Sequence, residues 1–179
     1  MNKKTLRKQF LQLRQAQSWR DEQRQIAEHL SSYFSSHPTR CVGLYWPIKG
    51  EIDIRGTMRE LQIRGKIDRI ALPRLNGKQM QFFDWLPSTE LKTNALGLTE
   101  PVSGKEEVPD VLLVPCVALS VSGYRLGYGG GYFDRYLEEH PQVIGIGVLA
   151  EVFLSKSLPT EGYDRQLHAW VTESGLHFR

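Results

Sequence analysis

Two apolar runs that do not alternate limit the folds open to this chain more than any other feature. Val111–Val114 and Val143–Val148 contain no polar side chain, whereas a strand with one wet face alternates. Such runs read as strands buried on both faces, the habit of parallel sheets covered by helices. Between them Tyr132–Glu139 is patterned as a helix. The same order occurs earlier: Cys41–Trp46 is a short apolar run, and Pro47–Gly50 is turn chemistry. Ile54, Met58 and Leu61 then recur at helical spacing up to Gly65, and Ile67–Leu72 is the next strand. Each unit has the length of one parallel crossover, which should be right-handed. The expectation is an α/β fold: a single three-layer domain over residues 1–179, with a largely parallel sheet flanked by helices.

Two helices should precede that sheet. Leu6, Phe10 and Leu13 mark the apolar stripe of the first, over residues 3–16, with Lys4, Arg7, Lys8 and Arg14 on its other faces. Ser18 followed by Asp21 resembles an N-cap for the second, which continues through Ile26, Leu30 and Tyr33 to Ser35. Met80–Trp85 alternates as an edge strand, Ser88–Pro109 is loop-rich, and Trp170–Thr172 is a closing strand. A chain of this size buries roughly 70% of its unfolded surface, so no staple is needed. Cys41 and Cys116 have neither CxxC spacing nor adjacent histidines, which argues against a disulfide framework or a zinc ribbon. Met1–Lys8 lacks the apolar centre of a signal peptide, and no run of about 18 apolar residues occurs. The chain is therefore expected to be a cytoplasmic monomer without membrane contact. Its basicity is local: residues 1–24 hold seven Lys and Arg against two acids, leaving 16 basic and 18 acidic residues in the other 155. Such a segment can grip RNA or a membrane, or supply phosphate ligands to a site built elsewhere.

Arg125–Arg135 reads RLGYGGGYFDR, with four glycines in five positions. Without Cβ atoms, Gly127, Gly129, Gly130 and Gly131 let backbone N–H groups approach an anion. The helix that follows starts near Gly131 and Tyr132, where unpaired amides and the dipole favour phosphate. Arg125 and Arg135 add cationic donors, and Asp134 offers a hard oxygen suited to Mg²⁺. A bare surface turn is the alternative; two arginines, a carboxylate and interleaved tyrosines argue for a ligand. No GxxxxGK[ST] occurs, and the GxGxxA spacing at Gly145, Gly147 and Ala150 falls inside a strand pattern.

The run Val114–Leu137, VPCVALSVSGYRLGYGGGYFDRYL, resembles the 5-formyltetrahydrofolate cyclo-ligases. Further landmarks lie in family order: KKTLR from Lys3, YWPIKGEID from Tyr45, LPR from Leu72, EP at Glu100 and YDRQLHAWVTESG from Tyr163. The resemblance implies an enzyme that cyclises 5-formyltetrahydrofolate to 5,10-methenyltetrahydrofolate with ATP and Mg²⁺, releasing ADP and phosphate. It implies ATP binding by Lys3, Lys4, Thr5, Leu6 and Arg7, and by Arg125, Leu126, Gly127, Tyr128, Gly129, Gly130, Gly131, Tyr132 and Phe133. Reduced folate would meet Trp46, Glu51 and the shared stretch Tyr128–Tyr132, with Arg74 a further candidate for the glutamate tail. Arg125, Tyr132 and Asp134 are the expected catalytic residues, and Asp134 and Asp164 the expected Mg²⁺ ligands. Glu51 would accept hydrogen bonds from pterin N–H groups, and Trp46, Tyr128 or Tyr132 would stack on the ring.

Cys116 stands where the family usually has glycine, Ser120 where it has aspartate, Gly130 where some members have lysine, and His168 where some have aspartate. Two rival readings are an RNA-binding domain using the basic first helix and a related α/β enzyme with another carboxylate or formamide substrate. The net acidity of residues 25–179 disfavours the first.

Overall fold

The computed structural model describes residues 2–179. The chain opens with α1 (Lys3–Gln15), α2 (Arg20–Ser36), β1 (Thr39–Gly43), α3 (Arg55–Ile63), β2 (Ile67–Asn76) and β3 (Gln79–Asp84). Three short strands follow, β4 (Leu91–Thr93), β5 (Thr99–Pro101) and β6 (Glu106–Glu107), then β7 (Val111–Pro115), β8 (Ala118–Ser120) and β9 (Arg125–Leu126). It closes with α4 (Tyr132–Glu139), β10 (Ile144–Val148), β11 (Leu154–Ser155), β12 (Ala169–Thr172) and β13 (Gly175–Phe178).

The main sheet has the order β13-β12-β10-β7-β1-β2-β3-β6. Its five central strands, β12 to β2, are mutually parallel, while β13, β3 and β6 pair antiparallel at the flanks. The two non-alternating runs are the neighbours β7 and β10, and every residue of β7 is buried. This is the expected α/β sheet flanked by helices, with two corrections at its margins. Met80–Trp85 is not an edge, because β6 pairs with β3 at Phe82 and Phe83. Trp170–Thr172 does not close the sheet, because β13 covers β12. Both added strands are short, with little hydrophobic pattern to announce them.

The first helix is turned differently from its leucine spacing. Leu13 is 39% exposed, whereas the Arg14 side chain is 3% exposed. The inner face therefore runs Lys3, Arg7, Phe10, Arg14, at spacings of four, three and four that keep one side of a helix. Nor does Ser18 cap α2. Trp19 occupies that position without a side-chain cap bond, and its indole N–H donates to the Arg14 carbonyl at 2.9 Å. Trp19 and Phe10 both pack edge-on against Phe153, just beyond β10. These contacts hold α1 over the C-terminal ends of the parallel strands.

Candidate active site

After β1 the chain returns through α3 to β2 on one side, while β7 lies on the other side of β1. That reversal leaves a crevice beyond the C-terminal ends of β1 and β7, the place where open α/β sheets take ligands. The residues gathered there are Glu51 from the loop after β1, Cys116 after β7, Leu149 and Ala150 after β10, and Arg14 from α1.

Glu51 is presented by a tight turn. Lys49 and Gly50 both have positive φ, 49° and 75°. A Cβ on residue 50 would lie 3.3 Å from both the Arg14 side chain and its carbonyl oxygen, so glycine is required by close approach as well as by φ. The Glu51 side chain is 4% exposed. Its Oε2 accepts from the Ile48 N–H at 2.9 Å and its Oε1 from the Tyr128 hydroxyl at 2.9 Å, with Arg14 Nη1 3.9 Å away. Burial pushes this carboxyl above the ordinary range, against the opposing pull of Ile48, Tyr128, Arg14 and Lys49. Burial also raises the Tyr128 phenol, and the Glu51 charge adds to it.

The glycine loop follows β9 and ends in α4, whose N-cap Gly131 has φ 67° and no side-chain cap. The first amides of α4 are therefore free of side-chain partners at the loop. Arg7 Nε donates to the Gly127 carbonyl at 2.6 Å. Arg125, 5% exposed, donates through Nη2 to Asp134 Oδ2 at 2.6 Å, and its buried Nε has no partner. Asp134, 14% exposed, also accepts the Arg165 backbone N–H through Oδ1 at 3.2 Å. Asp164 is paired with Lys3 Nζ at 2.7 Å, and Glu161 shares that ammonium at 2.6 Å. Burial lowers the Lys3 pKa, but the hydrogen bonds its ammonium donates to Asp164 and Glu161 outweigh that and leave it raised.

Several expected residues thus meet: Lys3 with Asp164, Arg7 with Gly127, Tyr128 with Glu51, and Arg125 with Asp134. Others lie apart. Lys4 and Thr5 are exposed, and Leu6 packs with Leu126 in a small apolar cluster. Phe133 lies under the Arg125 guanidinium at 5.2 Å. Tyr132 turns away to donate to the Gly77 carbonyl in the β2–β3 hairpin. Trp46 stands edge-on to Trp85, with Arg55 stacked 3.9 Å over its ring. Arg74 is occupied by Val102 O and the Phe83 face.

The departures from the family pattern have local explanations. Ser120 Oγ accepts from the Tyr124 N–H at 3.1 Å and so closes the turn before Arg125. A Cβ on Gly130 would sit 2.7 Å from the Tyr132 ring, so a side chain there requires that ring to move. His168 Nδ1 accepts from the Gly145 N–H, a structural bond. Cys116 is buried, with its thiol pushed by burial up to about 12.

Reading the helix by its leucines missed Arg14. Its seven-residue spacing from Arg7 across Phe10 is the signal that would have found it. Lys3, Arg7 and Arg14 face inward, which leaves Lys4 and Lys8 as the exposed cations of the first helix.

No cluster of three or more His, Cys, Asp or Glu side chains suited to a metal occurs among the described residues. Asp134 and Asp164 offer the hard oxygens that Mg²⁺ takes, commonly one or two carboxylates with phosphates and water, and Asp134 Oδ1 accepts the N–H of Arg165, the residue after Asp164.

Three comparisons bear on this arrangement. The family model described as the 5-formyltetrahydrofolate cyclo-ligase family matches residues 1–173. A 5-formyltetrahydrofolate cyclo-ligase of Escherichia coli is 30% identical over 168 residues, covering 86% of this chain and 91% of its own length. The 5,10-methenyltetrahydrofolate synthetase of Aquifex aeolicus superposes with a TM-score of 0.81 at 31% identity, over 99% of this chain and 93% of that one. That of Mycoplasma pneumoniae gives 0.81 at 26% identity, over 97% and 99%.

Proposed function

As the chain belongs to the 5-formyltetrahydrofolate cyclo-ligase family, we propose that its crevice carries out that reaction with ATP and Mg²⁺, through a phosphorylated formyl intermediate. The observation that carries this reading is the 2.9 Å hydrogen bond between Tyr128 and Glu51. It puts a buried acceptor suited to pterin N–H groups beside a glycine loop suited to phosphate.

The formyl oxygen on N5 is a poor leaving group. In the proposed step it attacks the γ-phosphorus of ATP, the bond from that phosphorus to the β–γ bridging oxygen breaks, and ADP leaves. N10 then attacks the activated formyl carbon, the carbon–oxygen bond breaks, phosphate departs and the N10 proton is lost to solvent. The product is the 5,10-methenyl ring. Such chemistry needs alignment and charge neutralisation above all, and well-oriented intramolecular attack reaches effective molarities of order 10⁵ to 10⁸ M.

In this reading Lys3, Arg7, Arg125 and the amides at the start of α4 bind the phosphates. Arg125 is held between Asp134 and the Phe133 ring with one N–H unsatisfied, so an arriving phosphate oxygen gives that donor a partner. Glu51 orients the pterin, and Trp46 and Tyr128 supply aromatic surface. Asp134 and Asp164 would hold Mg²⁺, which when bound neutralises phosphate charge. Lys3 and Arg125, now paired with those two carboxylates, would pass to the phosphates. Tyr132 keeps the loop against the β2–β3 hairpin.

The test is to mix the protein with 5-formyltetrahydrofolate, ATP and Mg²⁺ and follow the near-ultraviolet absorbance of the methenyl product. An ATP-dependent rise is expected, and omission of Mg²⁺ should abolish it. Product formation without ATP would refute the phosphorylated intermediate. ATP hydrolysis indifferent to folate would favour another substrate.

A further inference from the structure

Arg14 is costly where it stands. Its guanidinium lies against the Phe153 ring at 5.2 Å, donates to Tyr128 Oη at 3.3 Å and to the Cys116 carbonyl, and stands 3.9 Å from Glu51 Oε1. A buried ion is seldom the cheapest way to fill such space, and apolar residues of similar volume often serve stability as well or better. Nor does the fold need this side chain to anchor Trp19, whose indole bonds to the Arg14 backbone.

We propose that Arg14 is a positioning residue for the reaction: one buried guanidinium ties the Glu51 carboxylate to the Tyr128 hydroxyl, setting the folate-side acceptor and the nucleotide loop together. The proposal rests on the reading of Glu51 as the folate acceptor. Both Glu51 oxygens already accept a hydrogen bond, so the pterin edge has to share or replace the Tyr128 contact. Arg14 then keeps the carboxylate oriented and the released hydroxyl near its loop.

The groups around Glu51 are Arg14 from α1, Tyr128 from the glycine loop, Lys49 from its own loop, Tyr45 after β1 and Cys116 after β7. Burial raises the Glu51 carboxyl, and Arg14 is among the groups that oppose the rise. Without the guanidinium, Glu51 should take up a proton at higher pH, and folate binding that depends on the carboxylate should fail from the acid side sooner.

The experiment measures KM for 5-formyltetrahydrofolate and for ATP across pH in Arg14→Gln, Arg14→Lys, Glu51→Gln and the Arg14→Gln/Glu51→Gln double variant. In Arg14→Gln the folate KM should rise at least about tenfold near neutrality. That deficit should shrink as pH rises, while the ATP KM changes less and without pH dependence. Arg14→Lys keeps the charge but cannot span Glu51, Tyr128 and Cys116, so it should restore the pH profile and not the affinity. The double variant should be little worse than Glu51→Gln alone. A folate KM within about twofold of the parent in Arg14→Gln, or independent multiplication of the two single effects, would overturn the proposal. If Arg14→Gln does not fold, a parental folate KM in folded Arg14→Lys overturns it equally. An unchanged folate KM in Glu51→Gln removes the reading of Glu51 itself, and the proposal with it.

Discussion

Replacing Asp134 by Asn tests the two halves of the site argument separately. The Asp134 and Arg125 side chains are 14% and 5% exposed and meet at 2.6 Å, so solvent screens the pair weakly. In the variant, Asn can keep its carbonyl oxygen on the Arg165 N–H only by turning its amide toward Arg125 Nη2, donor against donor. Arg125, whose Nε is already unsatisfied, is left as a buried cation without a counter-charge. Removing one partner of a buried pair costs about 3–5 kcal/mol, and residual exposure of Asp134 places this case near 3. For a chain of this length that is a fall in Tm of roughly 6–12 °C. Thermal unfolding followed by circular dichroism measures it. ADP without Mg²⁺ should restore more of the lost Tm in the variant than it adds to the parent, because phosphate no longer competes with Asp134 for Arg125. Turnover well below Tm should fall at least about 100-fold, the order seen when a charge that stabilises a transition state is removed. A Tm within about 1 °C of the parent would refute the stability reasoning. Turnover within about threefold would refute a catalytic role for Asp134.

Other consequences are quicker to check. Gly127→Ala would drive a Cβ into Arg125 Nη1, at the end of a movable side chain. The Tm should therefore shift by less than about 3 °C, while nucleotide affinity, read by calorimetry, falls at least about tenfold; unchanged affinity would separate Arg125 from the phosphates. In Gly43→Ala the new Cβ would lie 2.8 Å from Leu112 Cδ1 and Pro109 Cγ and 3.2 Å from the Phe82 ring. Overpacking of this kind costs about 1–3 kcal/mol, measurable as a lower urea midpoint, and an unchanged midpoint would contradict the packing of Gly43 against Leu112, Pro109 and Phe82. Cys41 and Cys116 are buried, with both thiols pushed by burial up to about 12. A disulfide exchange reagent at pH 8 should label neither in the native protein and both in urea; fast native labelling of Cys116 would mean that the crevice floor opens.

The strand–helix–strand units, the glycine loop and the helix starting at Tyr132 were legible from residue order, because each rests on contacts within a few positions. A run such as Val111–Pro115 has to be buried on both faces wherever it lies, and four glycines in five positions cannot hide backbone amides. Serial order did not reveal that β7 enters the sheet beside β1, that β6 and β13 cover its flanks, or that Trp19 rather than Ser18 holds the N-cap position of α2. It also assigned Leu13 and Arg14 to the wrong sides of α1. A helix presents charged and apolar residues on several faces at once. Which face is buried depends on what it docks against, here Phe153, Cys116 and Tyr128, all more than a hundred residues away. The same holds for the carboxylates. Residue type made Asp134, Asp164 and Glu51 candidates for metal or substrate, but only folding gave each a partner: Arg125, Lys3 and the pair Tyr128 and Arg14. Local pattern thus determined which chemical groups this protein possesses. The packing of α1 across the strand ends decided which of them meet, because Coulomb and hydrogen-bond energies depend on distance and burial that no local window contains.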